Sequence, residues 1–230
     1  MEYFVYGGES SANFHVGIKG SGVFNSPKRK VDTVAVDGRS GALTIDRGYW
    51  ENVTVKYPCY IVKDFERNMD DFRAFLLSQV GYQRLEDTIH PDEYRMAMVS
   101  KELDVSVKGL AKAGVFDITF SCKPQRYLKV GEETSSYNGA ITLLNPTRFT
   151  SKPIIRLHST GTLTVNGKTF SVTSFGSGSY VDIDSDTMNC YSGSLNLNNY
   201  SSGDFPEFVP GENTISFSGN YDITPRWWTL

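Results

Sequence analysis

The sequence has few of the residues that usually carry chemistry. Its 230 residues include three cysteines and three histidines, namely Cys59, Cys122, Cys190, His15, His90 and His158. The cysteines are far apart, are odd in number and form no Cys-x-x-Cys pair, which favours free, buried thiols over a disulfide or a metal site. The histidines lie in different segments, so each is expected to be a surface or strand residue rather than a ligand or a base.

The sequence also lacks a long apolar run and a strong charge. No stretch of about 18 apolar residues is present, so no membrane insertion is expected. The formal net charge is −3, and the largest basic block is Lys28-Arg29-Lys30. A nucleic-acid binder needs a basic face for phosphate contacts, so specific nucleic-acid binding is not expected. We interpret the basic block as a solvated loop or as a surface that meets an acidic partner.

Recognisable catalytic motifs are absent as well. The sequence has no Gly-x-Ser-x-Gly elbow, no phosphate-binding glycine loop and no His-Glu-x-x-His motif. We therefore predict that the protein is not an enzyme and has no catalytic, cofactor-binding or metal-binding residues. The acidic run Asp182-Ile183-Asp184-Ser185-Asp186 could offer oxygens to calcium. However, it does not match an EF-hand loop, and in a strand Asp182 and Asp184 would share the solvent face, which is the interpretation we favour.

Trp227-Trp228 stands near the C-terminus, directly after Pro225-Arg226. This pair could be a platform on which a sugar stacks, or a hydrophobic anchor that docks the chain end against a domain or a neighbour. We favour the anchor, because a chain end needs to be held in place.

One convincing helix is predicted, over residues 69–80. Asn68 can cap it, and Phe72, Phe75, Leu76 and Val80 form a single apolar stripe at helical spacing. Gly81 is expected to end the helix in a left-handed conformation.

The rest of the first half has strand patterns. Residues 115–122 alternate, with Phe116, Ile118, Phe120 and Cys122 on one face, and at Pro124 that strand is expected to stop or to leave the sheet. Further strands are predicted at Tyr3–Tyr6, Phe14–Ile18, around Val34 and Val36 before a turn at residues 37–41, Asn52–Val62, Tyr94–Met98 and Leu103–Val107. Residues 109–114 are expected to join the last of these to the 115–122 strand as a β-hairpin.

The second half contains short strands and turns without helical periodicity. Asn166-Gly167 predicts a two-residue hairpin loop that sets Leu163 opposite Phe170. A second hairpin is predicted from Tyr180–Asp184 and Met188–Tyr191, and a late strand from Asn213–Ser218. Turns that recur about every ten residues are typical of a β-sandwich.

These patterns predict a mainly β protein with two domains. Residues 1–123 form an α+β domain with one helix, residues 124–140 a connector, and residues 141–220 a β-sandwich. Residues 221–230 form a tail that we expect to pack back on the first domain.

The sequence resembles the distal tail (Dit) proteins of siphophages, the phages with long non-contractile tails, that infect Gram-positive bacteria. No single motif is diagnostic, and the resemblance rests on their order over the whole chain. The matching segments are Pro27-Lys28-Arg29, residues 36–41, the helix with Gly81-Tyr82, residues 120–124, Asn145-Pro146-Thr147, Ser151-Lys152-Pro153, residues 165–167, residues 182–185, residues 205–213 and Pro225-Arg226-Trp227-Trp228.

The resemblance implies a structural protein of the tail tip, or baseplate hub. Residues 1–123 would be a belt domain that forms a hexameric ring around a channel for DNA, and residues 141–220 a galectin-like β-sandwich that projects outward. The implied partners are further copies of the chain in a homohexamer, with stacking of such rings as a further arrangement, the tail tube protein, the tail-associated lysin or hub protein and, in some phages, a receptor-binding protein. The implied location is the virion tail tip after assembly in the host cytoplasm.

Two other functions are weighed against this one. The β-sandwich, with its many Asn and Tyr residues, could be a carbohydrate-binding module that contributes to host-wall adhesion, although residues 141–219 contain no Trp. A wall-degrading enzyme is not expected, because no pair of carboxylates suited to glycoside hydrolysis is identifiable.

Overall fold

The computed structural model describes residues 1–20, 25–101, 104–108 and 113–230, with the backbone alone for 104–108. The chain divides into two compact units, one formed by residues 1–126 with Leu230 and the other by residues 127–229. As predicted, the protein is mainly β, and the described residues contain one α-helix.

The described residues of the first part of the chain form ten strands and the helix. In chain order, they are β1 (Phe4–Tyr6), β2 (Glu9–Ser10), β3 (Val16–Ile18), β4 (Arg29–Ala35), β5 (Ala42–Trp50), β6 (Val53–Ile61), α1 (Phe65–Ser78), β7 (Gln83–Asp87), β8 (Glu93–Val99), β9 (Asp104–Lys108) and β10 (Ala113–Leu128), with a 3-10 helix at Ser11–Phe14.

The second part contains strands and short 3-10 helices. In chain order, the strands are β11 (Ser135–Asn145), β12 (Ile154–Leu157), β13 (Gly161–Val165), β14 (Lys168–Val172), β15 (Val181–Asp184), β16 (Asn189–Ser192), β17 (Leu195–Asn196), β18 (Ser201–Gly203), β19 (Gly211–Thr224) and β20 (Trp228–Thr229). The 3-10 helices are Lys129–Glu132 and Asn198–Tyr200.

The first unit is built on one curled sheet. Its strand order is β2-β1-β7-β8-β10-β6-β3, and β9 also pairs with β10. The N–H of Ile18, at the end of β3, donates to the carbonyl of Glu2, just before β1, over 2.7 Å. This bridge brings β1 beside β3, so that the sheet closes around its core.

The alternation in β10 is confirmed. Phe116, Ile118, Phe120 and Cys122 are all at most 5% exposed. The residues directly opposite them on β6 are also buried, and they are Cys59, Tyr57, Val55 and Val53. The two central strands thus present one continuous apolar face to the core.

Strand β10 does not stop at Pro124, but its pairing with β6 ends just before that residue. β10 continues to Leu128, and the last residue of β10 in register with β6 is Cys122. Pro124 lies beyond that pairing, where its missing N–H removes no hydrogen bond to β6. Residues 124–140, expected to be a connector, therefore contain the end of β10, a 3-10 helix and the start of β11.

The predicted helix is confirmed in type, but it begins earlier than predicted. α1 starts at Phe65 after Asp64, which has a left-handed backbone (φ 44°) and makes no capping hydrogen bond with its side chain. Asn68, the predicted cap, lies inside the helix. The pattern-based start was late because Phe65 and Met69 extend the buried stripe of Phe72 and Leu76 by one further turn.

The C-terminal end of the helix also differs from the prediction. α1 ends at Ser78, and Gln79 is already extended. Val80, predicted to lie on the buried stripe, is 85% exposed because the chain has left the helix before it. Gly81 has the expected positive φ of 71°, but it does not form the helix cap.

The other strands predicted in the first half are present, with shifted ends. β1, β6 and β8 match their segments, whereas Phe14, predicted to start the second strand, lies in a 3-10 helix. Leu103 and residues 109–112 of the predicted hairpin lie outside the described residues. The pairing of β9 with β10 sets Val107 opposite Gly114.

The second unit is a curled sheet that forms a β-sandwich. Its strand order is β17-β16-β15-β12-β19-β13-β14-β18, and β11 also pairs with β19. The long strand β19 pairs with β12 near its C-terminal end and with β13 near its N-terminal end. A bulge at Asn138 and Gly139 bends the β11–β19 pair between these two halves. The same two strands therefore contribute to both layers.

Both hairpins predicted in the second half are confirmed. Leu163 stands opposite Phe170, and the loop residues Asn166 (φ 50°) and Gly167 (φ 80°) have the positive φ values of a primed turn. Strands β15 and β16 form the other hairpin, and the predicted late strand is part of β19.

Candidate assembly surface

A two-stranded hairpin is the most conspicuous surface feature of the first unit. Strands β4 and β5 form a sheet of their own, and no third strand joins it within the described residues. Its loop contains Gly38 (φ 79°) and Gly41 (φ 85°), in agreement with the turn predicted at residues 37–41. An isolated two-stranded hairpin is at best marginally stable in water, so this one calls for further support.

One face of the hairpin carries exposed apolar side chains. Val34 stands directly opposite Leu43, and the next residue on that face of β5 is Ile45. Val34 and Leu43 are each 46% exposed and Ile45 is 41% exposed, and Val36 continues the row towards the loop. Asp32 stands opposite Ile45 and borders this apolar cluster. A cluster of exposed apolar side chains with a polar border is typical of an interaction site.

The charged residues of the hairpin pair with one another. Arg29 Nε lies 2.7 Å from Asp46 Oδ2, and Arg47 Nε lies 2.7 Å from Asp32 Oδ2. A hydrogen bond from the Gly48 N–H and the Arg29 guanidinium hold the pKa of Asp46 below its ordinary value. These pairs fix the register of the strands, although exposed ion pairs contribute little to stability.

The basic block at the base of the hairpin is largely neutralised. Arg29 pairs with Asp46, and Lys30 Nζ lies 3.2 Å from Glu51 Oε1, a hydrogen bond that raises the pKa of Lys30. Arg29 also lies over the Trp50 ring, 5.0 Å from its centroid. The block was predicted to be a solvated loop or a surface for an acidic partner. Arg29 and Lys30 instead begin strand β4, and each is paired with a carboxylate of the same chain.

Sequence reasoning found the alternation around Val34 and Val36 but did not assign it a function. The available signal was that the largest apolar side chains, Val34, Leu43 and Ile45, share one face, whereas the opposite face has Thr33 and Thr44 beside smaller residues and Val31. That pattern predicts a one-sided strand, but it does not distinguish a face buried in the chain's own core from one that awaits a partner.

The acidic run in β15 is placed differently from the prediction. Asp182 and Asp184 are buried rather than solvated. Arg156 donates two hydrogen bonds to Asp182, at 2.7 and 2.9 Å. Arg226 binds Asp184 at 2.6 and 3.3 Å. Each carboxylate can be buried because an arginine neutralises it. In the part of the chain that the structure describes, no group of three or more His, Cys, Asp or Glu is arranged to hold a metal ion.

The three histidines are dispersed, as predicted. His15 ends a 3-10 helix with a left-handed backbone. His90 Nδ1 lies 3.0 Å from Asp87, and His158 Nε2 lies 2.8 Å from Asp222. Each histidine thus has a local structural setting, and the structure does not bring them together.

The two C-terminal tryptophans support the anchor interpretation. Trp227 is buried in the core of the second unit beside Phe208, with ring centroids 5.7 Å apart. Trp228 stacks on Phe149 at 4.6 Å and donates from Nε1 to the Thr150 carbonyl over 3.0 Å. These contacts hold the end of the chain against the sandwich.

The cysteines are free and buried, as predicted. Burial raises the pKa of all three thiols, that of Cys122 to about 12. A buried thiol with a raised pKa is a poor nucleophile and a poor metal ligand. These residues therefore serve packing.

The described residues include no helix that is both long enough and apolar enough to cross a membrane.

Comparisons with known proteins identify the fold. No family model and no curated protein matches the sequence. Among solved structures, the chain is similar to the Dit (gp 19.1) protein of phage SPP1, described as a paradigm of the hub adsorption apparatus in phages that infect Gram-positive bacteria. The TM-score is 0.78 at 12% identity, and 100% of each chain is covered. It is also similar to a chain of the phage p2 baseplate in its activated conformation with Sr, with a TM-score of 0.51 at 12% identity over 97% of each chain.

At this level of identity, the likeness establishes the fold. The chain has a Dit-like fold over its whole length, which confirms the mainly β fold class that the sequence predicted.

Proposed function

We propose that the protein is a structural component of a phage tail tip. In this proposal, six copies form a ring that joins the tail tube protein to the tail-associated hub protein and leaves a central channel for DNA. The observation that carries the proposal is the full-length likeness to the SPP1 Dit protein, in which both units match without a missing or added domain. The proposed location is the tail tip of the virion, reached by assembly in the host cytoplasm.

The first unit supplies the surfaces that a ring requires. Neighbours in a ring make heterologous contacts, in which one surface meets a different surface of the next copy. The apolar face of the β4–β5 hairpin is one such surface. The last turn of α1 and the residues just after it form another, because Leu77 in the helix and Val80 beyond it are 75% and 85% exposed.

The charge of the chain fits a channel that releases DNA. Proteins that hold DNA neutralise its phosphates with many Lys and Arg side chains. This chain has a formal net charge of −3, and two of the three residues of its largest basic block are paired with carboxylates. A lumen built from such chains would let DNA slide through rather than bind it.

We further propose that the function is non-catalytic. The dispersed histidines, the arginine-paired aspartates and the buried thiols all have structural settings. On this basis, the protein acts by self-assembly and by docking on two sides.

Co-purification tests this function. The protein should retain the tail tube protein and the hub protein of the same phage on an affinity column, separately and together. A chain that stays monomeric at high concentration, both alone and with those two proteins, would contradict the proposal.

A carbohydrate-binding function is the second candidate, and one feature favours it. The outer face of the sandwich has an open concavity of about 300 Å³ where β11, β13 and β19 meet. Its lining includes the hydroxyls of Thr142, Thr164, Thr214 and Ser216, but no aromatic ring on which a sugar could stack. Binding of host-wall polysaccharides on a glycan array would support this role, and absence of binding to every glycan on the array would exclude it.

A further inference from the structure

Strand β11 has an open edge in the second unit. It is 11 residues long, and within the described residues β19 is the only strand that pairs with it. Hydrogen-bonding groups of an antiparallel strand alternate between its two edges. Every second residue of β11 therefore points its N–H and C=O groups away from β19, without a backbone partner.

Several other edges among the described residues are short or charged. In the second unit, β17 has 2 residues and β18 has 3. In the first unit, β2 has 2 residues, and the β4–β5 hairpin carries ion pairs across its strands. Short or charged edges are the usual means by which proteins prevent pairing with other chains.

β11 has none of these protections along most of its length. Residues 135–145 contain no Lys, Arg, Asp, Glu or Pro. The single bulge lies between Asn138 and Gly139, and the pairing with β19 is regular from Gly139 to Asn145. A long, uncharged, regular edge is a template for a further strand.

The side chains of β11 indicate that such a strand would also bury apolar surface. Tyr137, Ile141 and Leu143 pack against the core of the second unit but are only partly buried. Leu144, on the opposite face, is 62% exposed. A strand added beside β11 would cover both rows.

We propose that the free edge of β11 pairs antiparallel with β11 of a second copy of this chain. The strand is suited to itself, because it has no charge that would oppose a like charge across a two-fold axis. If the two-fold axis passes through one residue of β11, even-numbered residues of one copy lie opposite even-numbered residues of the other, and odd-numbered residues lie opposite odd-numbered ones. The inward row of Ile141 and Leu143 would then stay inward in both copies, and one sheet would run through the two sandwiches.

This contact is distinct from the proposed ring. A two-fold contact is isologous, whereas neighbours within a ring make heterologous contacts. The β11 pair would therefore join copies that belong to two different rings. It would join two monomers if no ring forms, so the inference does not depend on the ring.

The test is the mass of full-length variants in solution, measured by light scattering over a range of concentrations. Thr142→Lys with Leu144→Lys places charges on the exposed face of the open edge. Thr214→Lys with Ser216→Lys places the same charges one strand inward, on β19, which is paired on both sides. We expect the wild type and the β19 variant to have about twice the mass of the β11 variant. Equal masses for all three folded proteins would overturn the proposal.

A second measurement applies if the β11 variant does not fold. Single cysteines are introduced at Ala140, Thr142 or Leu144 of the otherwise native chain, and the variants are also mixed in pairs (140 with 142, 142 with 144) to cover an axis through Ile141 or Leu143; Ser216→Cys is the control. Residues at or beside the two-fold axis lie within disulfide reach across an antiparallel pair. Oxidation should link two full-length chains through at least one β11 position and not through position 216. Absence of a link at every β11 position would overturn the proposal.

Discussion

Phe120 joins several aromatic rings in the core of the first unit. Its side chain is fully buried, and its ring centroid lies 5.0 Å from that of Tyr6 and 5.7 Å from that of Phe4. We expect Phe120→Ala to lower the free energy of unfolding by about 3–5 kcal/mol, because it removes a large buried side chain and leaves a cavity. Denaturant titration measures this, with the exposed Val62→Ala as control, which should change the free energy by less than about 0.5 kcal/mol. If both substitutions changed the free energy of unfolding equally, Phe120 would not be a core residue of the first unit.

Asp184 gives the second unit a pH-dependent contribution to stability. Burial disfavours its ionised form, but the charge and hydrogen bonds of Arg226, together with the N–H groups of Asp186 and Thr187, outweigh burial and lower its pKa. A carboxylate with a lowered pKa in the folded state stabilises the fold above its ordinary pKa of 3.8. That contribution is lost as the pH falls through the folded pKa.

Replacing Asp184 should reduce this dependence. Between about pH 5 and pH 2, the thermal unfolding midpoint of the second unit should fall less steeply in Asp184→Asn than in the wild type. At neutral pH, the loss of the charged hydrogen bonds should lower the free energy of unfolding by about 1.5–3 kcal/mol. Asp186→Asn, at an exposed neighbouring position, is the control and should behave as the wild type. Identical pH profiles for wild type and Asp184→Asn would contradict this assignment.

Single residues were predicted from sequence where a local pattern determines their setting. The alternation of apolar and polar residues predicted that Phe116, Ile118 and Phe120 share a buried face. That prediction is confirmed because one side of β10 faces the core of the first unit. The setting of Asp182 and Asp184 could not be predicted. Their arginine partners lie 26 and 42 residues away in the chain, so no local pattern connects them.

At the scale of elements, the β13–β14 hairpin depends on the backbone freedom of its loop. Gly167 has φ 80°, and a Cβ added there would meet no atom within 4 Å. Gly167→Ala should therefore destabilise the second unit by about 1–2 kcal/mol through backbone strain alone. Thermal unfolding measures the effect, and the exposed Lys168→Ala in the same hairpin is the control. A Gly167→Ala protein as stable as the wild type would show that the loop has another conformation.

Elements were easier to predict than their ends. The Asn-Gly loop fixed both the type and the register of a hairpin, because few turns accept two residues with positive φ. The helix was found from its apolar stripe, but its ends were wrong, since neither Asn68 nor Gly81 acts as a cap. At Pro124, β10 ends its pairing with β6 but not its extended course, because a proline interrupts a strand only where its N–H is needed.

At the scale of the whole molecule, the order of weak motifs predicted the fold better than any one motif. The two units recur together in a solved structure that matches the entire chain at 12% identity. The candidate assembly surface was harder to predict from the sequence. From sequence alone, an alternating strand is predicted to bury its apolar face in the core of its own domain. Only the structure shows that Val34 and Leu43 lie on a hairpin that no third strand joins among the described residues.

The central claim is that copies of this chain assemble into a ring through the first unit. Val34→Lys with Leu43→Lys charges the apolar face of the hairpin at two opposed positions. Thr33→Lys with Thr44→Lys charges the opposite face of the same hairpin at the neighbouring opposed pair, so that it controls for hairpin stability. All three proteins should have the same secondary structure by circular dichroism.

Negative-stain electron microscopy of the purified full-length proteins, alone and with the tail tube and hub proteins, tests the claim most directly. The account predicts six-membered rings for the wild type and the Thr33/Thr44 variant, and loss of rings for the Val34/Leu43 variant. Wild-type protein that shows no ring at high concentration with either partner would contradict it, as would rings that survive charging of the apolar face.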